Sequence, residues 1–407
     1  MRRRAATLAN CFVLVAFAAG CGHHSRQSSS STKPAIPNLP TVARSGIEPD
    51  VSSLPRDSGG PAPARPGEYR KLTAHECRYL AIRSAPFADD LDAHPENDSG
   101  HPLLHPRKPS REEAAVGRKV RGYLADDLRN TAASEALEQF FQLAQGEGQF
   151  DLLVKSHVEL RARLADAEDA ERRGLADRAG VDTLRVQVLD LEAKLAELEA
   201  GIGALNAGLR ARLGLDAADP LLLWPDDPLR VRPDDVDVME AVRTGLYFRP
   251  DLNLLRTLLS DDGKAADDLA QSLLKQVSPL LASLRSNPII GVLLPNNSRT
   301  KREATQRQIQ SMLTAKERQA EAEIRAAALT LRGYRLSTVA KAAEVQRQKA
   351  KLEEVEKRAA AGQPVAAELT KTKLDLWKAQ GELLKAAIDW HLADVKLRKA
   401  MGLLVRE

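Results

Sequence analysis

The chain has 407 residues, 29% of them charged and only 4% aromatic, with Ala, Leu, Glu, Lys and Arg dominant. That balance points to long helices or coiled coils, in a chain long enough to bury a core without disulfides. The formal net charge is +4, three of the positive charges are Arg2, Arg3 and Arg4, and no block of like charge follows, which argues against nucleic acid as a partner.

The first element is a leader. After the three arginines an apolar run extends from Leu8 through Phe12, Val13, Leu14 and Val15 to Phe17. It is shorter than the ~20 apolar residues that a spanning helix needs. It ends in Ala18-Ala19-Gly20, directly before Cys21, the layout of a secretory signal peptide. A Cys in that place resembles a bacterial lipobox. Residues 1–20 are then removed and Cys21 becomes the lipidation site, palmitate among its acyl chains, a membrane anchor without a transmembrane helix. The alternative is an ordinary signal peptide with an incidental Cys. Gly22, rather than Asp, follows the Cys, which resembles lipoproteins sorted to the outer membrane. Cys11 belongs to the leader, so only Cys77 remains and no intrachain disulfide is expected.

Residues 22–66 are rich in Ser, Pro and Gly and show no hydrophobic period, which predicts a flexible tether. The segment 72–86, LTAHECRYLAIRSAP, reads as a short helix with a capping box formed by Thr73 and Glu76, ended by Pro86. Residues 87–110 then read as a long polar loop with four prolines. Within it His94, His101 and His105 lie among Asp89, Asp90, Asp92, Glu96 and Asp98, donor types that can bind Zn²⁺ or Cu²⁺. Each of these histidines precedes a proline, and a plain polar loop accounts for them equally, so no metal is expected.

From Arg111 to Leu215 the composition is helical. Apolar residues fall at Val181, Leu184, Val188, Leu191, Leu195, Leu198, Ile202, Leu205 and Leu209, in alternating steps of three and four. That spacing predicts a coiled-coil seam over four heptads. The glycines of RRGLADRAG (172–180) predict the turn between two antiparallel helices. Residues 216–235 form a Pro/Asp-rich link, with Trp224 expected to pack over helix ends. Helical patterns resume at Val236, run from Lys301 to Arg358, break at Gly362-Gln363-Pro364, and run again to about Met401. Trp377 and Trp390 lie on that last helix, and Trp390 falls on its seam.

The two halves match. At an offset of 188, Gly174 falls on Gly362, Gly214 on Gly402, Leu213 on Met401 and Arg210 on Arg398. The seam carries over as Leu376, Leu383, Trp390 and Leu397, with Ala379, Ala386 and Ala393 standing where the first copy has leucines. The repeat starts match at 164, Glu76 with Glu240 and Pro86 with Pro250. No phosphate-binding loop, HExxH or GxSxG is present, and the acidic residues on the helices have basic neighbours, so neither an enzyme nor a cofactor is expected.

In this order the residues resemble the TolC family of outer-membrane efflux channels. LTAHECRYLAIRSAP is similar to the helix that opens each repeat of that family. Arg249-Pro250-Asp251-Leu252 is similar to the end of its second opening helix. Leu213-Gly214 and Met401-Gly402 resemble the ends of its long helix pairs. The resemblance covers roughly residues 72–86, 150–252 and 301–403. It implies a homotrimer whose long helices form a periplasmic tunnel, two strands from each repeat in an outer-membrane barrel, and an inner-membrane pump and periplasmic adaptor protein as partners. Membrane strands need ~9–11 residues of alternating character with aromatic girdles. Residues 87–110 hold one aromatic, Phe87, and residues 253–300 offer only PIIGVLLP (288–295). The expected fold is therefore all-α: long antiparallel coiled-coil helices from two tandem repeats, with little or no β-barrel. The expected boundaries are a signal peptide at 1–20, a lipidated linker at 21–70, a first repeat at 71–215, a link at 216–234 and a second repeat at 235–407. The expected location is the outer membrane, lipid-anchored on its periplasmic face. Two functions stay open, efflux-associated tunnel and non-conducting scaffold of the envelope.

Overall fold

The computed structural model describes residues 41–42, 69–93, 111–216, 221–260 and 298–406, all within one compact unit. In chain order the elements are β1 (Thr41–Val42), β2 (Tyr69–Leu72), α1 (Ala74–Arg83), α2 (Ala88–Ala93), α3 (Arg111–Arg172), α4 (Arg178–Arg212), β3 (Leu222–Pro225), α5 (Val238–Phe248), α6 (Pro250–Ser260), α7 (Ser298–Ala360) and α8 (Ala366–Met401). Helices α3 and α7 are 62 and 63 residues long, about 90 Å each at the α-helical rise. Their partners α4 and α8 have 35 and 36 residues.

Each repeat opens on a capped helix. Thr73 Oγ1 accepts from Glu76 N at 3.2 Å while the Glu76 carboxylate accepts from Thr73 N at 2.9 Å, which closes the capping box read in the sequence. At the matching position of the second repeat, Asp237 accepts from Met239 N and Glu240 N. Either cap satisfies backbone donors that a helix start leaves open.

The long helices pair as hairpins, α3 with α4 and α7 with α8, and α8 also lies along α3. The order across the wall is thus α4–α3–α8–α7. One apolar core joins both repeats, with Phe140 and Leu143 of α3, Ile202 and Leu209 of α4, and Leu384 and Ile388 of α8. The N-terminal parts of α3 and α7 outreach their partners. They close instead around α6, where Val116 and Val120 meet Leu252, Leu255 and Leu258, with Ile309 and Leu313 from α7.

A three-stranded sheet braces the side of this wall. β1 pairs antiparallel with β2, and β2 pairs parallel with β3 in the register Tyr69↔Leu222 to Leu72↔Pro225. Its buried Tyr69 and Trp224 meet edge to face, ring centroids 5.6 Å apart.

Four readings change. The tether and linker (22–66 and 21–70) contain β1 and the start of β2, and the link 216–235 contains β3. Strands of two to four residues are too short to carry a period of their own. Trp224 is a buried residue of strand β3, its ring against Tyr69. The loop read at 87–110 begins with helix α2, whose Ala88 is buried with Ala85 and Ala125. Asp89 and Asp90 in its first turn suit the positive end of the helix dipole. The predicted lack of barrel strands concerns 87–110 and 253–300. Among the described residues of those segments only turn and helix occur, and 94–110 and 261–297 lie outside them. Among the described residues no helix is long and apolar enough to cross a membrane.

Candidate functional site

The candidate site is the helical wall itself, and its ends are set by four glycines. Gly174, Gly214, Gly362 and Gly402 all have φ between +64° and +80°, backbone that a Cβ disfavours. Each caps a helix with the same pair of bonds. Gly174 N donates to Glu171 O and Leu175 N to Ala170 O; Gly362 N donates to Ala359 O and Gln363 N to Arg358 O. At the other ends Gly214 N donates to Ala211 O and Leu215 N to Arg210 O, matched by Gly402 to Lys399 and Leu403 to Arg398. Each of these cap bonds of the first repeat recurs at the offset of 188, so the duplication read in the sequence extends to the backbone geometry of the helix ends.

The seam residues lie along α4 toward α3. Val181, Val188, Ile202 and Leu209 are buried, whereas Leu184, Leu191, Leu195, Leu198 and Leu205 are half-buried. In α8 both rows are buried: Leu376, Leu383, Trp390 and Leu397 on one, Ala379, Ala386 and Ala393 on the other. The cause is position in the wall, because α8 has a helix on each side and α4 stands at an edge. The alanine row faces α7, with Ala379 beside Ala342 and Val345, whereas toward α3 a glycine allows the close approach. A Cβ on Gly148 of α3 would meet Leu384 Cδ2 at 2.5 Å.

Ion pairs tie the helices outside the seam. Glu192 of α4 accepts from His157 and Arg161 of α3 at 3.0 and 2.8 Å. The His157 bond, foremost, and Arg161 hold the Glu192 carboxyl below its ordinary range. Lys341 pairs with Glu382 between α7 and α8, and Lys373 of α8 with Glu159 of α3 at 3.0 Å. Solvent-screened pairs of this kind add little to stability.

The corner Arg249-Pro250-Asp251-Leu252 does more. Arg249 Nε and Nη2 donate to the two Asp251 oxygens at 3.0 and 2.9 Å, while Nη1 donates to Glu323 of α7 at 2.7 Å and to Ala400 O of α8 at 3.2 Å. Burial alone would lower the Arg249 pKa, but the bonds to Asp251 and Glu323 outweigh it and raise it. In the first repeat the corner is held differently, by Ser84 Oγ donating to Arg212 O at 2.7 Å.

The two edge helices carry apolar side chains that no described element covers. On α4, Val186 and Leu189 are each 57% exposed. On α7, Leu329, Leu336 and Val339 are 55–60% exposed, at heptad spacing.

No protein-family model and no curated protein matches the chain. Solved structures do. The Campylobacter jejuni outer-membrane channel CmeC aligns with a TM-score of 0.56 at 12% identity, over 81% of this chain and 85% of that one. The fold is TolC-like. The open-state MtrE channel of Neisseria gonorrhoeae gives 0.53 at 13% identity over 81% and 88% of the two chains. The CusC channel gives 0.52 at 12% over 82% and 93%.

Two residues of this TolC-like wall escaped the seam analysis. Asn206 sits beside the seam, buried, and its amide donates to Leu223 O at 2.9 Å and accepts from Leu223 N at 3.1 Å. It thus serves β3 as a neighbouring strand would. One turn on, Arg210 donates to Leu221 O and Asp216 O. The signal was a polar residue set in the apolar run GIGALNAGL. Cys21 and the histidines His94, His101 and His105 lie outside the described residues. Among the described residues no group of His, Cys, Asp and Glu is placed to hold a metal ion.

Proposed function

We propose that the chain is an efflux-associated lipoprotein of the outer membrane whose copies close into a homotrimeric periplasmic tunnel. The observation that carries this is the contrast within the wall: its inner helices are sealed by their seams, while α4 and α7 present exposed apolar rows at opposite edges. Joining α4 of one copy to α7 of the next covers both rows and repeats around a closed ring. Residues 1–20 act as signal peptide, Cys21 as palmitate-bearing anchor and 21–70 as tether, ahead of repeats at 71–215 and 235–407. The anchor holds the body at the periplasmic face, where it works with an inner-membrane pump and a periplasmic adaptor. The chain is not an enzyme, in keeping with structural neighbours that are channels. Light scattering on the detergent-solubilised full chain tests the ring: a trimer mass is expected, and a monomer at all concentrations overturns it. Labelling with a fatty-acid analogue, lost in Cys21→Ser, tests the anchor.

The second reading is a scaffold that keeps the wall and conducts nothing. It is favoured by the sequences of 87–110 and 253–300, which lack the alternation of membrane strands. Planar-bilayer recording decides between the two, and stable single-channel conductance rejects the scaffold.

A further inference from the structure

Away from the edges and the seams, a cleft of about 440 Å³ opens where the two repeats meet. That is the size of a small-molecule site. Its walls come from α1, α3, the link after β3, and the C-terminal part of α8. Leu137, Phe141, Val395 and Leu404 supply an apolar floor. Over it lies His391, its ring stacked on Phe141 at 4.7 Å and 17° and edge-on to Trp390 at 5.0 Å. Its Nε2 is buried and meets no hydrogen-bond partner among the described residues.

The charge around this floor is lopsided. Arg78, Arg230, Arg232 and Arg398 line the cleft against two aspartates, Asp227 and Asp394. Asp394 is already bound to Arg398 at 2.9 Å, and Asp227 accepts from Ala74 N. Among the described lining residues the arginines outnumber the aspartates, and Arg232 stands at the exposed rim. His391 registers the same field: burial first, then Arg398 and Arg232, push its pKa down to about 4, so the imidazole is neutral near pH 7. A neutral imidazole nitrogen can carry the proton and donate it.

We infer that this cleft binds a small organic anion, a carboxylate on an apolar, preferably aromatic, frame. The frame lies on the Leu137–Phe141–Leu404 floor and the carboxylate meets Arg232 at the rim. Guanidinium groups suit that geometry, since their paired donors match the two carboxylate oxygens. Both parts are needed. A bare anion gains nothing from the floor, and a neutral frame gains nothing from the rim. The inference is independent of whether the protein conducts, because the cleft is built within one chain.

Isothermal titration of the full chain with 2-naphthoate, its neutral amide 2-naphthamide and inorganic phosphate tests it. Naphthoate is expected to bind at one site per chain, naphthamide at least tenfold more weakly, and phosphate not measurably. Arg232→Glu reverses a rim charge on an exposed side chain and is expected to weaken naphthoate tenfold or more while leaving naphthamide unchanged. Arg243→Glu, an equally exposed change on α5 outside the cleft, is expected to have no effect. Equal affinity for acid and amide, no heat with naphthoate, or an Arg232→Glu protein that binds like the wild type would each overturn the inference. Binding of phosphate as tight as that of naphthoate would reduce it to a charge effect without a role for the floor, and would equally overturn it.

Discussion

At position 391 an imidazole is held between two aromatic rings and two guanidinium groups, and the placement gives the protein a pH dependence of known sign. The unfolded chain has His391 at its ordinary value near 6.5. The folded chain holds it at about 4. Between those values the unfolded state binds the extra proton, so stability is complete above about pH 6.5 and falls as the pH drops toward 4. The loss over that window is on the order of 3 kcal/mol. The aspartates whose pKa burial raises, such as Asp126, Asp127 and Asp389, shift stability the opposite way. Comparison with His391→Phe cancels them, since Phe keeps the stack on Phe141. The stability of wild type relative to the variant, from urea midpoints, should drop by up to that amount between pH 7 and pH 4. Parallel curves would sink the assignment. A second residue-scale prediction concerns Asn206. Changing it to Leu strands the N–H and C=O of Leu223, which is itself buried. Each orphaned group costs about 1–3 kcal/mol, so Asn206→Leu should lower stability by about 2–6 kcal/mol in thermal melts.

At the scale of the element, the seam separates what periodicity reveals from what it leaves open. Steps of three and four identify the inward face of α4, and all nine residues are on it. Periodicity does not say how many neighbours a helix has. Leu195 and Ile202 are equivalent in the heptad pattern, yet Ile202 is buried against Gly146 of α3 and Leu195 is only half-buried at the margin of the same core. Ile202→Ala should therefore cost about 2–4 kcal/mol and Leu195→Ala under about 1.5. Equal denaturation midpoints for the two variants would contradict this difference in packing. The turn at 172–180 was legible as a break in the helical pattern, where a cap must follow the last turn; of its two glycines Gly174 caps α3, while Gly180 lies inside α4. Arg249-Pro250-Asp251-Leu252 was legible as a string but not as a fork, since its partners Glu323 and Ala400 are distant in sequence. The strands and α2 were not legible, because elements of two to six residues hold at most two repeats of their own period. The cleft around His391 was beyond reach altogether, its walls being drawn from four separated segments.

For the whole molecule, the exposed rows on α4 and α7 separate assembly from folding. Leu336→Glu combined with Val339→Glu alters side chains that touch little within the chain. The melting temperature of the isolated protomer should change by less than the equivalent of about 0.5 kcal/mol. The assembled mass should fall to that of a monomer, as read by light scattering. An unchanged mass would mean that copies meet elsewhere. The four left-handed glycines carry a further consequence. Each of α4 and α8 is bounded by one at both ends, and the two helices differ in length by a single residue. They act as matched gauges, keeping both prongs of the wall level at the tip. Two extra turns inserted into both helices of one hairpin alone would leave that prong standing about 10 Å proud of its twin. In the trimer proposed above, a level rim of six prongs would become a rim of alternating heights, so drift in the length of one hairpin would be tolerated only if the other followed it.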